Sequence, residues 1–253
     1  MMKVISVVGI TKSGKTSVVE ALIRGLRKRN HTVGSVKEIH FEGFAIDTEG
    51  TNTDRHRKAG AQLVTALGLH ETDVLFSEKL GIMQVLSFYG HDYVVLEGVR
   101  DIAAPKIVTA HDTKEVDERL DETVFAVSGR IAKELSEYRG LPVVNCLREP
   151  ERLVDLACEK AFELLPNFDA ECCGACGHSC QALCSLILRG EAKREDCPIG
   201  SGTVKLSIGG RDVPMVPFVE NILKNAVLGV VRELDGYRQD ADIRIGIGDV
   251  RGR

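Results

Sequence analysis

The chain has 253 residues, 43% hydrophobic and 28% charged, with a formal net charge of −4 at pH 7; that length allows a sizeable core in one or two domains. So mild a charge balance offers no basic field for nucleic acid, and no uninterrupted apolar run reaches the ~18 residues of a membrane span. The first apolar stretch is broken at Lys12, too early for a secretory signal, so a cytoplasmic protein with reduced cysteines is expected.

Met2-Lys3-Val4-Ile5-Ser6-Val7-Val8 reads as a strand, and it feeds Gly9-Ile10-Thr11-Lys12-Ser13-Gly14-Lys15-Thr16, a G-x-x-x-x-G-K-T loop. From Lys15 to Arg27, Val18, Val19, Leu22, Ile23 and Leu26 fall on one helical face. This strand–loop–helix order is the context a phosphate-binding loop needs. The backbone N–H groups of Gly9 to Thr16, with Ser17 behind them, cradle the phosphates, Lys15 reaches the β- and γ-phosphates, and the Thr16 hydroxyl ligates Mg²⁺.

Thr32 to Val36 continues as a strand, Phe41 to Thr53 as a polar loop, and Thr53 to Gln62 as a helix. A second helix is expected from Glu78 to Phe88, and strands at Tyr93 to Leu96, Lys106 to Val108, Thr123 to Val127 and Pro142 to Val144. A helix from Glu149 to Leu164 follows. Strands separated by helices predict an α/β fold, a mostly parallel sheet with helices on both faces, which binds ligands at the carboxyl ends of its strands. Asp92 to Gly98 is an apolar strand ending in Glu97, where a P-loop protein holds Mg²⁺ from the side opposite Thr16. Lys15, Thr16 and Glu97 are thus the candidate catalytic group. Asp47 and Asp54 are weaker candidates that also read as a loop residue and a helix cap. Position 10 is Ile rather than the extra lysine of partition-type ATPases, and no N-K-x-D clamp occurs, so the residues leave guanine and adenine open.

The ordered set Lys37-Glu38-Ile39-His40, Asp47, Gly50, Asp54, Lys58-Ala59-Gly60-Ala61, Val95-Leu96-Glu97-Gly98 and Pro105-Lys106-Ile107-Val108 resembles the molybdopterin-guanine dinucleotide biosynthesis protein B family over residues 1–165. The resemblance implies a small P-loop protein that binds GTP and Mg²⁺ and is a weak GTPase. Such a protein works as an accessory beside the molybdopterin guanylyltransferase, near molybdopterin or molybdoenzyme apoproteins, and usually forms a homodimer. By position, Gly9 to Thr16 would hold the GTP phosphates, Thr16 and Glu97 would serve Mg²⁺, and Lys37 and His40 would lie nearby. Glu38 departs from the Lys-His pair common there.

Of eight cysteines, Cys146 and Cys158 stand alone in apolar surroundings, while Cys172, Cys173, Cys176, Cys180, Cys184 and Cys197 crowd one segment. In a reducing compartment such density points to metal before disulfide. Cys173, Cys176 and Cys180 form C-x₂-C-x₃-C, and Cys197-Pro198 follows after sixteen intervening residues, a pattern suited to a [4Fe–4S] cluster. It is similar to the small four-iron domains of corrinoid iron–sulfur proteins and some electron-transport subunits, where the third spacing is usually one residue longer. Cys184 is therefore the substitute for Cys180, and Cys172 for Cys173. Zn²⁺ is the competing metal, although its usual second close pair is missing. His178 reads as a solvated loop residue.

Leu165-Pro166-Asn167-Phe168-Asp169 reads as a linker, giving a P-loop domain at 1–165, a Cys-rich segment at 166–200, with a boundary near Gly200-Ser201-Gly202, and a ββαβ unit at 201–253. That unit comprises a hairpin around Gly209-Gly210, a helix from Phe218 to Leu234 and a closing strand from Ile243 to Ile247. Two functions compete: a GTP-binding factor in molybdenum or tungsten pterin cofactor synthesis, and an iron–sulfur electron-transfer or redox-sensor module with a nucleotide-gated head. A small-metabolite kinase ranks third, for want of an acceptor pocket.

Overall fold

The computed structural model describes residues 2–167, 173, 175–199, 204, 206–208, 211–213, 215, 217–238 and 243–248. Strands and helices alternate in the order β1 (Lys3–Gly9), α1 (Lys15–Lys28), β2 (Val33–Lys37), α2 (Asn52–Lys58), β3 (Leu63–Leu67), β4 (Thr72–Phe76), α3 (Ile82–Leu86), β5 (Tyr93–Glu97), β6 (Lys106–Ala110), α4 (Thr113–Asp117) and β7 (Val124–Gly129). The short pair β8 (Glu137–Tyr138) and β9 (Leu141–Pro142) leads to α5 (Pro150–Lys160), and α6 (Cys180–Arg189), β10 (Leu206–Ile208), β11 (Arg211–Val213) and α7 (Pro217–Val231) follow.

Five strands form one parallel sheet in the order β2-β5-β1-β6-β7. The register aligns Val7 and Lys37 with Glu97, and Gly9 with Thr109, so the carboxyl ends of the strands share one rim. Alternate residues of a strand face opposite sides, and both sides of this sheet are covered. Ile5, Val7, Val95 and Ile107 pack under Val18, Leu22 and Leu26 of α1 and Leu153, Val154 and Ala157 of α5. Truncating a side chain such as Leu22 to Ala in this core should cost about 2–5 kcal/mol.

The opposite face holds two apolar clusters. Val8, Val108, Val116 and Val127 form one, and Val4, Leu86, Leu96 and Ile102 the other. Ser6 and Lys106 are also buried. The Ser6 hydroxyl donates to the Val99 carbonyl at 2.5 Å, and the Lys106 ammonium pairs with Asp121 at 2.7 Å, as buried polar groups require.

Several helices are shorter than their patterns predict, α5 ending at Lys160 rather than Leu164 and α7 at Val231 rather than Leu234. The one expected to run to Gln62 ends at Lys58, before Gly60 with φ 105°, and the one expected from Glu78 spans only Ile82–Leu86. Leu63 to Phe76 forms the antiparallel β3–β4 hairpin, which the sequence reading missed because a short apolar run fits strand and helix alike. Its turn is tight: Gly68 N–H donates to the Glu71 carbonyl at 2.9 Å.

The chain divides into two compact units, Met1–Cys197 and Pro198–Arg253. In the first, α6 is capped by Ser179, whose hydroxyl accepts from Ala182 N–H, and ends at Gly190 with φ 76°. Arg194 is buried beyond it and donates to the carbonyls of Glu163, Leu164 and Cys197 at 3.0, 3.2 and 3.2 Å. Leu164 N–H in turn reaches the Met2 carbonyl at 3.1 Å, so Cys197 is fastened beside the start of β1. In the second unit, β10 pairs with β11 and α7 follows. The strand expected at Ile243–Ile247 does not form there: alternating isoleucines set a face, but a strand also needs a ladder partner. Cys172, Phe168, Asp169, Gly200 to Gly202 and Gly209-Gly210 lie outside the described residues. Among the described residues no helix is long and apolar enough to cross a membrane.

Candidate functional site

The rim above β1 is built by close backbone packing. Ser13 Oγ lies 2.8 Å from the Ile10 carbonyl and 2.7 Å from Thr109 Oγ1, pinning the loop to the end of β6. A Cβ on Gly9 would fall 2.3 Å from the Thr109 carbonyl, and one on Gly129, where φ is +91°, 2.4 Å from the Ser13 carbonyl. Gly14 caps α1 with φ 110° and no side chain in the way. The loop therefore presents backbone N–H groups at the N-terminus of a 14-residue helix, an arrangement that attracts phosphate.

Gly9 to Thr16 and Ser17 line a cleft of about 1260 Å³ together with Lys37, His40 and Glu97. The Lys15 ammonium donates to the Ile10 carbonyl at 2.5 Å. Burial lowers its pKa from the ordinary lysine value; Glu97 opposes the shift, while Lys37, Arg119 and Arg100 add to it. An arriving polyphosphate would oppose that shift and favour the charged form.

Thr16 Oγ1 donates to Glu97 Oε1 at 3.1 Å, and Lys37 Nζ lies 3.4 Å from the same oxygen. Glu97 is only 8% exposed. Neighbouring oxygen ligands in an octahedral Mg²⁺ shell of 2.0–2.1 Å bonds stand about 2.9 Å apart, so this donor pair fits that ion. Asp47 and Asp54 are absent from the cleft lining. Asp47 accepts from the hydroxyls of Thr51 and Thr53, and Asp54 from Gly50 N–H and the Lys58 ammonium, which makes them loop braces. Glu38 sits 3.7 Å from the Lys79 ammonium and 3.8 Å from His40 Nε2.

Sequence reasoning missed Arg100, Arg130, Lys133, Asn145 and Leu147, all on the cleft wall. Their one common signal is position just past a strand end. Asn145 shapes its own turn, accepting from Leu147 and Arg148 N–H at 3.1 and 3.2 Å.

The cysteines behave differently. Cys173 and Cys176 are partly buried, whereas Cys180, Cys184 and Cys197 are buried. Among the described residues, no group of three His, Cys, Asp or Glu side chains is placed to hold a metal, so Cys173, Cys176, Cys180 and Cys197 are not brought together. Cys184 lies on the inner face of α6, and burial pushes its thiol up to about 12.

The family described as "MobB: Molybdopterin guanine dinucleotide synthesis protein B" matches residues 4–129. The match ends at Gly129, the residue whose backbone closes against Ser13. A Methanocaldococcus jannaschii protein described as a molybdopterin-guanine dinucleotide biosynthesis adapter is 28% identical over 253 residues, covering 97% of each chain. A Bacillus subtilis protein of the same description is 25% identical over 147 residues, 56% of this chain and 84% of that one. The crystal structure of Bacillus subtilis MobB is similar with a TM-score of 0.52 at 22% identity, covering 62% of this chain and 96% of that one. The fold of that structure is thus shared over 62% of the chain, while the alignment with the Methanocaldococcus jannaschii relative covers 97% of it.

Proposed function

We propose that this chain binds GTP with Mg²⁺ and acts as an accessory factor in molybdopterin guanine dinucleotide cofactor synthesis, as the descriptions of its relatives suggest. The observation that carries the reading is the Thr16–Glu97 pair beneath a P-loop in the MobB-matching region. Guanine is proposed on family grounds alone. The partner is a molybdopterin guanylyltransferase, with molybdopterin or molybdoenzyme apoproteins downstream and the cytoplasm as the setting.

Mg²⁺ would neutralise charge on the β- and γ-phosphates. The loop N–H groups and Lys15 hold those phosphates in place, Thr16 and Glu97 supply oxygens to the ion, and Lys37 balances Glu97. Phosphoryl transfer depends chiefly on such positioning and neutralisation. The cleft carboxylate of Glu97 is already engaged by Thr16 and Lys37, so slow hydrolysis is expected, with the chain holding nucleotide for its partner. Replacing Lys15 by Ala should weaken GTP binding by about tenfold to a hundredfold, the loss of a charge-assisted bond; unchanged affinity in a calorimetric titration would refute the reading.

A homodimer is proposed through the β3–β4 hairpin, where Leu63, Leu67, Leu69, Val74 and Phe76 are exposed, Leu69 to 97%. Such an apolar patch marks an interaction surface, and light scattering of Leu67→Glu against the parent chain tests it.

For the cysteine segment the proposal is a [4Fe–4S] cluster on Cys173, Cys176, Cys180 and Cys197, with Zn²⁺ the alternative. Spacing alone supports it, and the four thiols would have to be drawn together on loading. Iron and acid-labile sulfide content of an anaerobic preparation decides between cluster, zinc and neither. A loaded cluster without GTP binding would favour the electron-transfer or sensor reading.

A further inference from the structure

A second cavity, of about 200 Å³, lies apart from the phosphate loop and is lined by Val8, Arg100, Lys106, Glu118, Arg119, Leu120 and Asp121. Three cations and two carboxylates meet there, and the carboxylates are already committed. Asp121 answers Lys106 at 2.7 Å, with the lysine side chain only 4% exposed. Glu118 answers Arg119 through Nη1 at 3.1 Å, and the same nitrogen donates to the Glu115 carbonyl at 3.0 Å.

What remains is cationic. Arg119 Nε is buried and has no hydrogen-bond partner, although the side chain is only 13% exposed. Both hydrogen bonds of this guanidinium use Nη1, so its Nε–Nη2 edge holds nothing among the described residues. That edge is a fork matched to two oxygens of one anion. A buried donor without a partner costs about 1–3 kcal/mol, a cost that an oxyanion would remove. Arg100 brings a second guanidinium to the same cavity, and it also lines the nucleotide cleft.

We infer that this cavity binds a free tetrahedral oxyanion of phosphate size, held by the Nε–Nη2 edge of Arg119 and by Arg100. The volume suits such an ion with a few waters, each of which takes about 30 Å³ in the liquid, and leaves no room for a nucleoside. Arg100 borders both spaces, so the ion sits one side chain away from the cleft in which a nucleoside triphosphate would lose its terminal phosphate.

The test is a calorimetric titration of inorganic phosphate into the full chain, independent of whether nucleotide binds. The parent and Lys15→Ala, which disables the P-loop, should each retain the cavity site. Arg119→Gln should weaken that site about tenfold or more, and so should Arg100→Gln, a change at an exposed residue that spares the core if Arg119→Gln unfolds. Lys133→Gln, on the far wall of the cleft, should leave it unchanged. Absence of phosphate binding in Lys15→Ala overturns the inference, as does equal affinity in Arg100→Gln and the parent. A parallel titration with glycerol 3-phosphate separates the two sources of a phosphate group: binding of the ester in preference to the free ion also overturns it.

Discussion

Thr16 and Glu97 stand 81 positions apart in the chain, yet the threonine hydroxyl donates to the carboxylate at 3.1 Å. Parallel pairing of β1 with β5 places Glu97 beside Val7, two residues before the loop begins. The sheet register, rather than any local sequence, assembles the two oxygens.

Replacing Glu97 by Gln should therefore act on the metal before the nucleotide. The amide keeps the volume and the hydrogen bond but removes the charge that faces Lys37. Nucleotide affinity measured with excess EDTA should be little changed, whereas the gain on adding Mg²⁺ should shrink about tenfold. An undiminished Mg²⁺ response would assign the carboxylate to Lys37 alone.

Gly129 should tolerate no side chain. A Cβ there would meet the Ser13 carbonyl at 2.4 Å and both backbone polar atoms of Ala110 at 3.0 Å, none of which can swing aside. Gly129→Ala should cost about 2 kcal/mol and lower the melting temperature by roughly 4–8 °C. It should also reduce nucleotide affinity, because the displaced Ser13 backbone belongs to the loop. Differential scanning fluorimetry with and without nucleotide measures both effects.

The Lys106–Asp121 pair should make stability depend on acid. Burial alone would raise the Asp121 carboxyl, but hydrogen bonds from Lys106 and Thr123 outweigh it and hold the pKa below the usual carboxylate range. A carboxyl lowered by folding stabilises the protein fully above its unfolded value, near 4, and loses that contribution as pH falls through the folded value. Asp121→Asn should cost about 2 kcal/mol at pH 7, after allowance for the partial exposure of Asp121. The gap between variant and parent in urea unfolding should narrow below about pH 4; a gap constant down to pH 2 would contradict the pairing.

Thiol chemistry should sort the cysteines. In chelator-treated protein, Cys173 and Cys176 should alkylate within minutes at pH 8, since they are partly exposed. Cys184, fully buried with its thiol pushed up to about 12, should react only after unfolding. Peptide mass mapping of iodoacetamide adducts over time reads this directly.

The P-loop was legible because its chemistry is local: Gly9, Gly14, Lys15 and Thr16 sit within one turn and one helix start. Glu97 could be found because it ends a uniformly apolar strand. Arg100, Lys133 and Asn145 could not, because their neighbours in space come from strands 30 to 130 residues away in sequence and their local surroundings look like ordinary polar loops. The β3–β4 hairpin was hidden for a different reason. Leu63, Val64 and Leu67 mix apolar residues on both faces, and what sets their period is the antiparallel ladder with Leu75 and Phe76. Cysteine spacing proposed a metal, but spacing along a chain does not by itself fix where side chains meet in space, and among the described residues no three ligand side chains are placed to hold one.

The clamp that Arg194 makes on Leu164 and Cys197 sets a distance. Leu164 is tied to Met2, at the opposite end of β1 from Gly9, and a parallel strand rises ~3.3 Å per residue, so the last cysteine stands roughly 20 Å from the phosphate-binding loop. Cys197 and the core of β1 are buried, and buried charges escape most salt screening. At an effective dielectric constant near 20, a unit charge at that range acts at about 1 kcal/mol per unit charge of a nucleotide. An electron gained or lost near Cys197 would thus reach the loop both as a field and through β1 itself, the strand that both ends grip.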